Sequence, residues 1–109
     1  MSISKFFQIF ILSFAFIFAE SYNMELLSNF SYEQNTSDIT SFYQDFREFA
    51  VIGLQDAASF VDVTDPSNPF EIGRISGGTS LWRDLKYWDR HVYIGTEAED
   101  GVKVVSVDN

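Results

Sequence analysis

Few residues in this chain could do chemistry, and their spacing narrows the choice further. His91 is the one histidine. It opens the apolar run His91-Val92-Tyr93-Ile94-Gly95, which answers Phe49-Ala50-Val51-Ile52-Gly53 upstream. A slot that also takes Phe is a packing or edge position rather than that of a ligand or base. No Gly-x-Ser-x-Gly elbow is present to expose a serine nucleophile. Gly77-Gly78-Thr79-Ser80 has neither the spacing nor the Lys of a phosphate loop, and reads as a tight link in which Gly takes positive φ. Cysteine is absent, which removes disulfides, thiolate metal sites and a thiol nucleophile together.

Carboxylates cluster twice. Asp62 and Asp65 flank Val63-Thr64, and Glu97, Glu99 and Asp100 crowd a turn before Gly101. Hard oxygen ligands can hold Ca²⁺, but neither cluster has EF-hand spacing. The upstream copy of the second cluster, Gln55-Asp56-Ala57-Ala58, keeps a single acid, so a solvated hairpin turn is the reading adopted. Asp65-Pro66 reads as the start of a turn whose Asp side chain accepts a backbone N–H. Trp82-Arg83 is the pair with most potential for recognition, because an aromatic beside a guanidinium can stack and bind carboxylates. The structural reading, a hydrophobic plug beside a structural salt bridge, is the one favoured for this pair. The expected catalytic, cofactor and metal residues are therefore none, and Trp82 and Arg83 are the recognition candidates.

The elements that must hold these residues are short. Residues 49–54, 60–63 and 70–76 are strand-like runs broken by a small-residue turn and by the loop Asp65-Pro66-Ser67-Asn68-Pro69. Residues 38–43 supply a strand before them. The pattern then recurs: residues 49–53 match 91–95, and 59–63 match 103–107, at offsets of 42 and 44. Asp38-Ile39 and Asp84-Leu85 head the first strand of each unit, a recurrence that points to a structural task at the link between units. Four short strands per unit of this length have the dimensions of a β-propeller blade, with a small β-sandwich as the other architecture that strand count allows. The expected fold is all-β: an incomplete β-propeller, one four-stranded blade plus most of a second, after a cleaved signal peptide.

The N-terminus reads as an address. Lys5 precedes an apolar run over residues 6–18, and small residues follow at Ala19 and Ser21. The run falls short of the roughly 20 residues that a membrane-spanning helix needs. A secretory signal over residues 1–19 is therefore expected, with an uncleaved short anchor as the rival. Residues 20–36 form an arm or a strand, 37–78 the first repeat, and 79–109 a second, truncated one. Asn29-Phe30-Ser31 and Asn35-Thr36-Ser37 are sequons, making Asn29 and Asn35 candidate glycan acceptors in a eukaryotic secretory pathway.

At 109 residues with 46% hydrophobic and 17% aromatic content, the chain can pack one small core. Its net charge of −9, with only seven Lys and Arg, argues against nucleic acid and against anionic lipid.

Residues 24–32 (Met-Glu-Leu-Leu-Ser-Asn-Phe-Ser-Tyr), then Phe60-Val61-Asp62-Val63-Thr64-Asp65-Pro66, Leu81-Trp82-Arg83-Asp84-Leu85-Lys86 and Gly101-Val102-Lys103-Val104-Val105, resemble the choice-of-anchor B family. The resemblance spans residues 24–109 and the N-terminal part of such proteins. It implies secreted or surface proteins of LVIVD-type repeats that fold as β-propellers, and carries over no catalytic residue. The expected function is a secreted or cell-surface repeat module, non-enzymatic, that binds an extracellular protein or glycan or serves structurally. The alternative is the N-terminal fragment of a propeller enzyme whose site lies in further blades. The strand at residues 103–107 is an open edge, so self-association through it is also expected.

Overall fold

The computed structural model describes residues 23–108. The signal expected over residues 1–19 lies outside the described residues. Two antiparallel sheets account for the fold, and neither closes on itself. The first holds β1 (Thr36–Gln44), β2 (Arg47–Leu54), β3 (Ala57–Asp62) and β4 (Phe70–Ser76). The second holds β5 (Arg83–Trp88), β6 (His91–Thr96) and β7 (Lys103–Ser106). In both, order across the sheet follows order along the chain. Among the described residues no helix is long and apolar enough to cross a membrane.

Strands of the first sheet begin earlier than the sequence reading placed them, β2 at Arg47 among them. Ala57-Ala58-Ser59 belongs to β3, and the turn before it shrinks to Gln55-Asp56. These residues are weak strand formers, but β3 is paired on both sides, and tertiary pairing overrides local preference. Thr36 pairs with Leu54 and so joins β1, which leaves residues 24–35 as an arm without regular structure.

Strand alternation divides each sheet into two sides. From the first sheet Phe42, Val51, Ala58 and Phe60 face Leu85, Val92 and Ile94 of the second, forming one core. Their pairing explains why they share a side, since Val51 opposes Phe60, Gly53 opposes Ala58, and Leu85 opposes Ile94. Phe42 is stacked between Phe49 (centroids 4.9 Å apart) and Tyr87 (4.8 Å apart), so one ring joins both sheets. The arm lies on the other side of the first sheet, where the Tyr32 hydroxyl donates to Ser59 Oγ at 3.0 Å.

The first hairpin of each sheet has the same turn. Asp45 and Phe46 have φ of 51° and 63°, and Asp89 and Arg90 have φ of 44° and 60°. Two left-handed central residues make a type I′ turn, whose twist suits the flanking strands. Asp tolerates this conformation through its short polar side chain, but Phe46 does so at a steric cost, and its ring is 89% exposed and recovers nothing by packing. Phe46→Gly is therefore expected to stabilise the chain by about 1 kcal/mol. Thermal unfolding followed by circular dichroism checks it: the midpoint rises for Phe46→Gly and falls for Ala50→Gly, a strand-centre control. An unchanged midpoint at Phe46 would show that the turn is unstrained.

Candidate functional site

The densest polar construction lies along the seam where β1 meets β5. Arg83 is its centre. Its side chain is the largest of those fully buried, at 1% exposure. Nε donates to the Leu54 carbonyl at 3.0 Å, and Nη2 donates to the carbonyls of Gln55 at 3.3 Å and Gly78 at 2.5 Å. Among the described residues Arg83 takes part in no ion pair. Its main chain is held as well: Arg83 N–H donates to Ser37 Oγ at 3.2 Å, and that hydroxyl donates to the Arg83 carbonyl at 3.1 Å.

One step along, Asp38 Oδ2 accepts the Leu85 N–H at 2.8 Å. That bond, first among the causes, holds the Asp38 carboxyl below its usual range. The connection between the sheets is tied down by Gly77 N–H to the Asp56 carbonyl at 2.9 Å and by Ser80 N–H to the Gln55 carbonyl at 2.8 Å. Asp100 completes it by accepting Gly78 N–H at 3.0 Å and the Lys103 ammonium at 2.8 Å. The Lys103 bond chiefly pulls the Asp100 carboxyl down to about 2.

The seam explains two glycines by space. A Cβ on Gly53 would stand 2.8 Å from the Arg83 carbonyl oxygen, and one on Gly77 would stand 2.6 Å from Arg83 Nη1. Positive φ, expected for the Gly77-Gly78 link, is found among the described glycines at Gly101 instead.

The recognition candidates thus part company. Arg83, the first residue of β5, turns inward, whereas Trp82, just before the strand, stays 64% exposed. Arg83 finds carbonyls where a carboxylate partner was the structural expectation, because the end of β2, the Gln55 turn and the Gly78 link all aim oxygens at it. Trp82 borders a shallow depression of about 370 Å³ lined by Ser37, Asp38, Trp82, Asp84 and Lys86. An aromatic face with two carboxylates, Asp38 and Asp84, and the Lys86 ammonium beside it suits a partner offering a flat or hydroxyl-bearing group.

The acidic clusters resolve into separate structural tasks. Asp62, 2% exposed, accepts Thr64 N–H at 2.9 Å and pairs with Arg47. Burial pushes its carboxyl up, but the Thr64 and Arg47 bonds outweigh burial and hold it low. Asp65 Oδ1 accepts Ser67 N–H at 3.1 Å, the turn that the Asp-Pro pair indicates. Glu97 and Glu99 are exposed. His91 Nδ1 lies 2.7 Å from the Asp89 carbonyl, at the β5–β6 turn. Asn29 and Asn35 are both exposed. Among the described residues no group of three or more His, Cys, Asp or Glu could hold a metal ion.

One cluster escaped the sequence reading. Ser59 Oγ donates to Glu71 at 2.5 Å, Arg74 Nε bonds both Glu71 oxygens at 2.9 and 2.8 Å, and the Arg74 guanidinium lies 5.7 Å from the Tyr32 ring centre. Burial raises the Glu71 carboxyl, but the Ser59 and Arg74 bonds bring it below the usual range; burial is also the main cause that raises the Tyr32 hydroxyl. Register brings these residues together, since Ser59 opposes Arg74 across β3 and β4, and no spacing in the sequence announces it. With its hydroxyl given to Glu71 and a Tyr on its oxygen, Ser59 ties the arm to the sheet.

Comparison with protein-family models, curated proteins and solved structures finds no match to this chain.

Two outcomes follow from this geometry. Arg83→Met deprives three carbonyls of a donor and is expected to destabilise by ~3 kcal/mol or more, whereas Trp82→Ala on the surface stays within ~0.5 kcal/mol. Chemical denaturation of both variants checks the contrast, and equal effects would contradict it. The second concerns acid. Asp38, Asp62, Glu71 and Asp100 have folded-state carboxyls below their unfolded values, so their stabilisation is complete above the unfolded pKa and is lost as pH falls through the folded one. For Asp100 that window runs from the ordinary 3.8 down to about 2. The thermal midpoint should fall across it, and less steeply in Asp100→Asn; a midpoint independent of pH there would contradict the assignment.

Proposed function

We propose that this chain is a secreted or cell-surface β-propeller repeat module, like the choice-of-anchor B proteins that its sequence resembles, and that its task is non-enzymatic binding or structural support. The observation that carries the reading is the seam. The Asp that heads the first strand of one unit bonds the first strand of the next, through Asp38 Oδ2 and Leu85 N–H. The same Asp-led turn also recurs in both sheets. Simple up-and-down strand order in each sheet favours radially repeated units over a sandwich, whose sheets exchange strands by crossover connections. The apolar leader and the exposed sequon asparagines, Asn29 and Asn35, support an extracellular setting. Trp82, exposed beside Asp84 and Lys86, is the contact proposed for an extracellular protein or glycan.

Expression of the whole chain with a C-terminal tag in a eukaryotic secretory host tests this reading. Tagged protein is expected in the medium with its N-terminus at Glu20 or Tyr22, and glycosidase should lower its mass unless both Asn29→Gln and Asn35→Gln are present. Tagged protein kept inside the cell with Met1 intact would overturn the secreted reading.

A further inference from the structure

The free side of the second sheet repeats the side of the first sheet that the seam covers. Trp88 opposes His91 as Phe42 opposes Phe49, and Lys86 opposes Tyr93 as Thr40 opposes Val51. Asp84 therefore holds the position of Asp38, and Gly95 that of Gly53. In the seam, Asp38 accepts a backbone N–H from the incoming strand, and Gly53 lets that strand approach to within what would be 2.8 Å of a Cβ. On the free side Asp84 is exposed and has no hydrogen-bond partner for its carboxylate among the described residues, and a Cβ on Gly95 would meet nothing within 4 Å. Trp88 at 72%, Val104 at 57% and Tyr93 at 37% exposure leave an apolar surface on this side.

The matching counterface is also on this chain. Ile39 opposes Ile52 as Leu85 opposes Ile94, so β1 turns toward the free side of the first sheet the positions that β5 turns into the seam. The arm covers Ser59 and Val61 there, while Ile39, Ser41 and Tyr43 stay exposed. One molecule thus carries both sides of the same kind of seam: an open acceptor side, and a donor side whose β1 residues Ile39, Ser41 and Tyr43 stay exposed beside the arm.

We infer that the free side of the second sheet docks the β1 side of the first sheet of a second copy of this chain. Asp84 accepts a backbone N–H of the incoming β1, Gly95 gives it room, and Trp88 and Tyr93 cover Ile39 and Tyr43. The contact continues the internal seam, and because its two sides differ it is head-to-tail, so copies add in one direction until the ring closes or the ends remain open. This inference rests on the repeat-module reading; secretion and processing in the preceding experiment report on that reading separately.

Size-exclusion chromatography with light scattering on the processed chain tests it. The wild type is expected to gain mass with concentration, and Gly95→Val and Ile39→Asp each to run as a folded monomer. Gly95→Val fills only space that is open within the chain, and circular dichroism confirms the fold; Trp88→Lys serves in its place if that variant does not fold. The decisive sample is a mixture of the two variants. Each retains the side the other has lost, so the mixture should give a two-chain complex that grows no further. A wild type that stays monomeric up to hundreds of micromolar overturns the inference. So does a mass unchanged by both substitutions, which would assign association to the β7 edge, or a mixture that remains monomeric.

Discussion

A guanidinium removed from water without a carboxylate beside it must be met by dipoles held in place, and Arg83 imposes that requirement on the whole chain. Burying a charge is costly unless hydrogen-bond acceptors are held in place around it. The carbonyls that answer it come from the end of β2, the following turn and the link to the second sheet. Satisfying all three fixes how far apart the sheets stand and how they are rotated. Gly53 and Gly77 are consequences of that closeness, since any side chain there would enter the seam. Asp100 and Lys103 then clip the start of β7 to the same link, so the outer strand of the second sheet inherits the alignment.

With the seam set, the apolar residues have one way to meet. Phe42 reaches across to Tyr87, and the Gln44 amide donates to the Val107 carbonyl at 2.7 Å at the far end of the interface. Beyond that point the sheets diverge around an open cleft of about 350 Å³ whose lining includes Phe60, Ile75 and Val105. Gln44 Oε1 is buried beside it with no partner among the described residues. Tight contact at β1 and β5 and looser contact at β4 and β7 is how strands fan out from a shared inner edge. The same geometry leaves one side of the second sheet open and one side of the first covered only in part by the arm, so the surface chemistry lies on those sides and on exposed residues such as Trp82, away from the polar residues the seam consumes.

Much of this was legible in the residue order. Apolar runs of strand length, broken by Asp-Pro and Gly-Gly, lead directly to the seven strands and the all-β character of the described residues, because alternation and turn chemistry are local properties. The paired recurrence of Asp38 and Asp84 pointed to a structural task between units, and Asp38 performs it. The tertiary structure decided the rest. Trp82 and Arg83 are neighbours in the chain, but only the second sheet's position determines that Arg83 is the one buried. The partnership of Tyr32, Ser59, Glu71 and Arg74 depends on the β3–β4 register and on where the arm lies, both settled by packing. Gly53 and Gly95 match in the repeat, yet one is crowded by a neighbouring strand and the other faces open space. Sequence specifies each residue's side of its own strand; what covers that side depends on segments far away in the chain, through contacts that exist only once the sheets have packed.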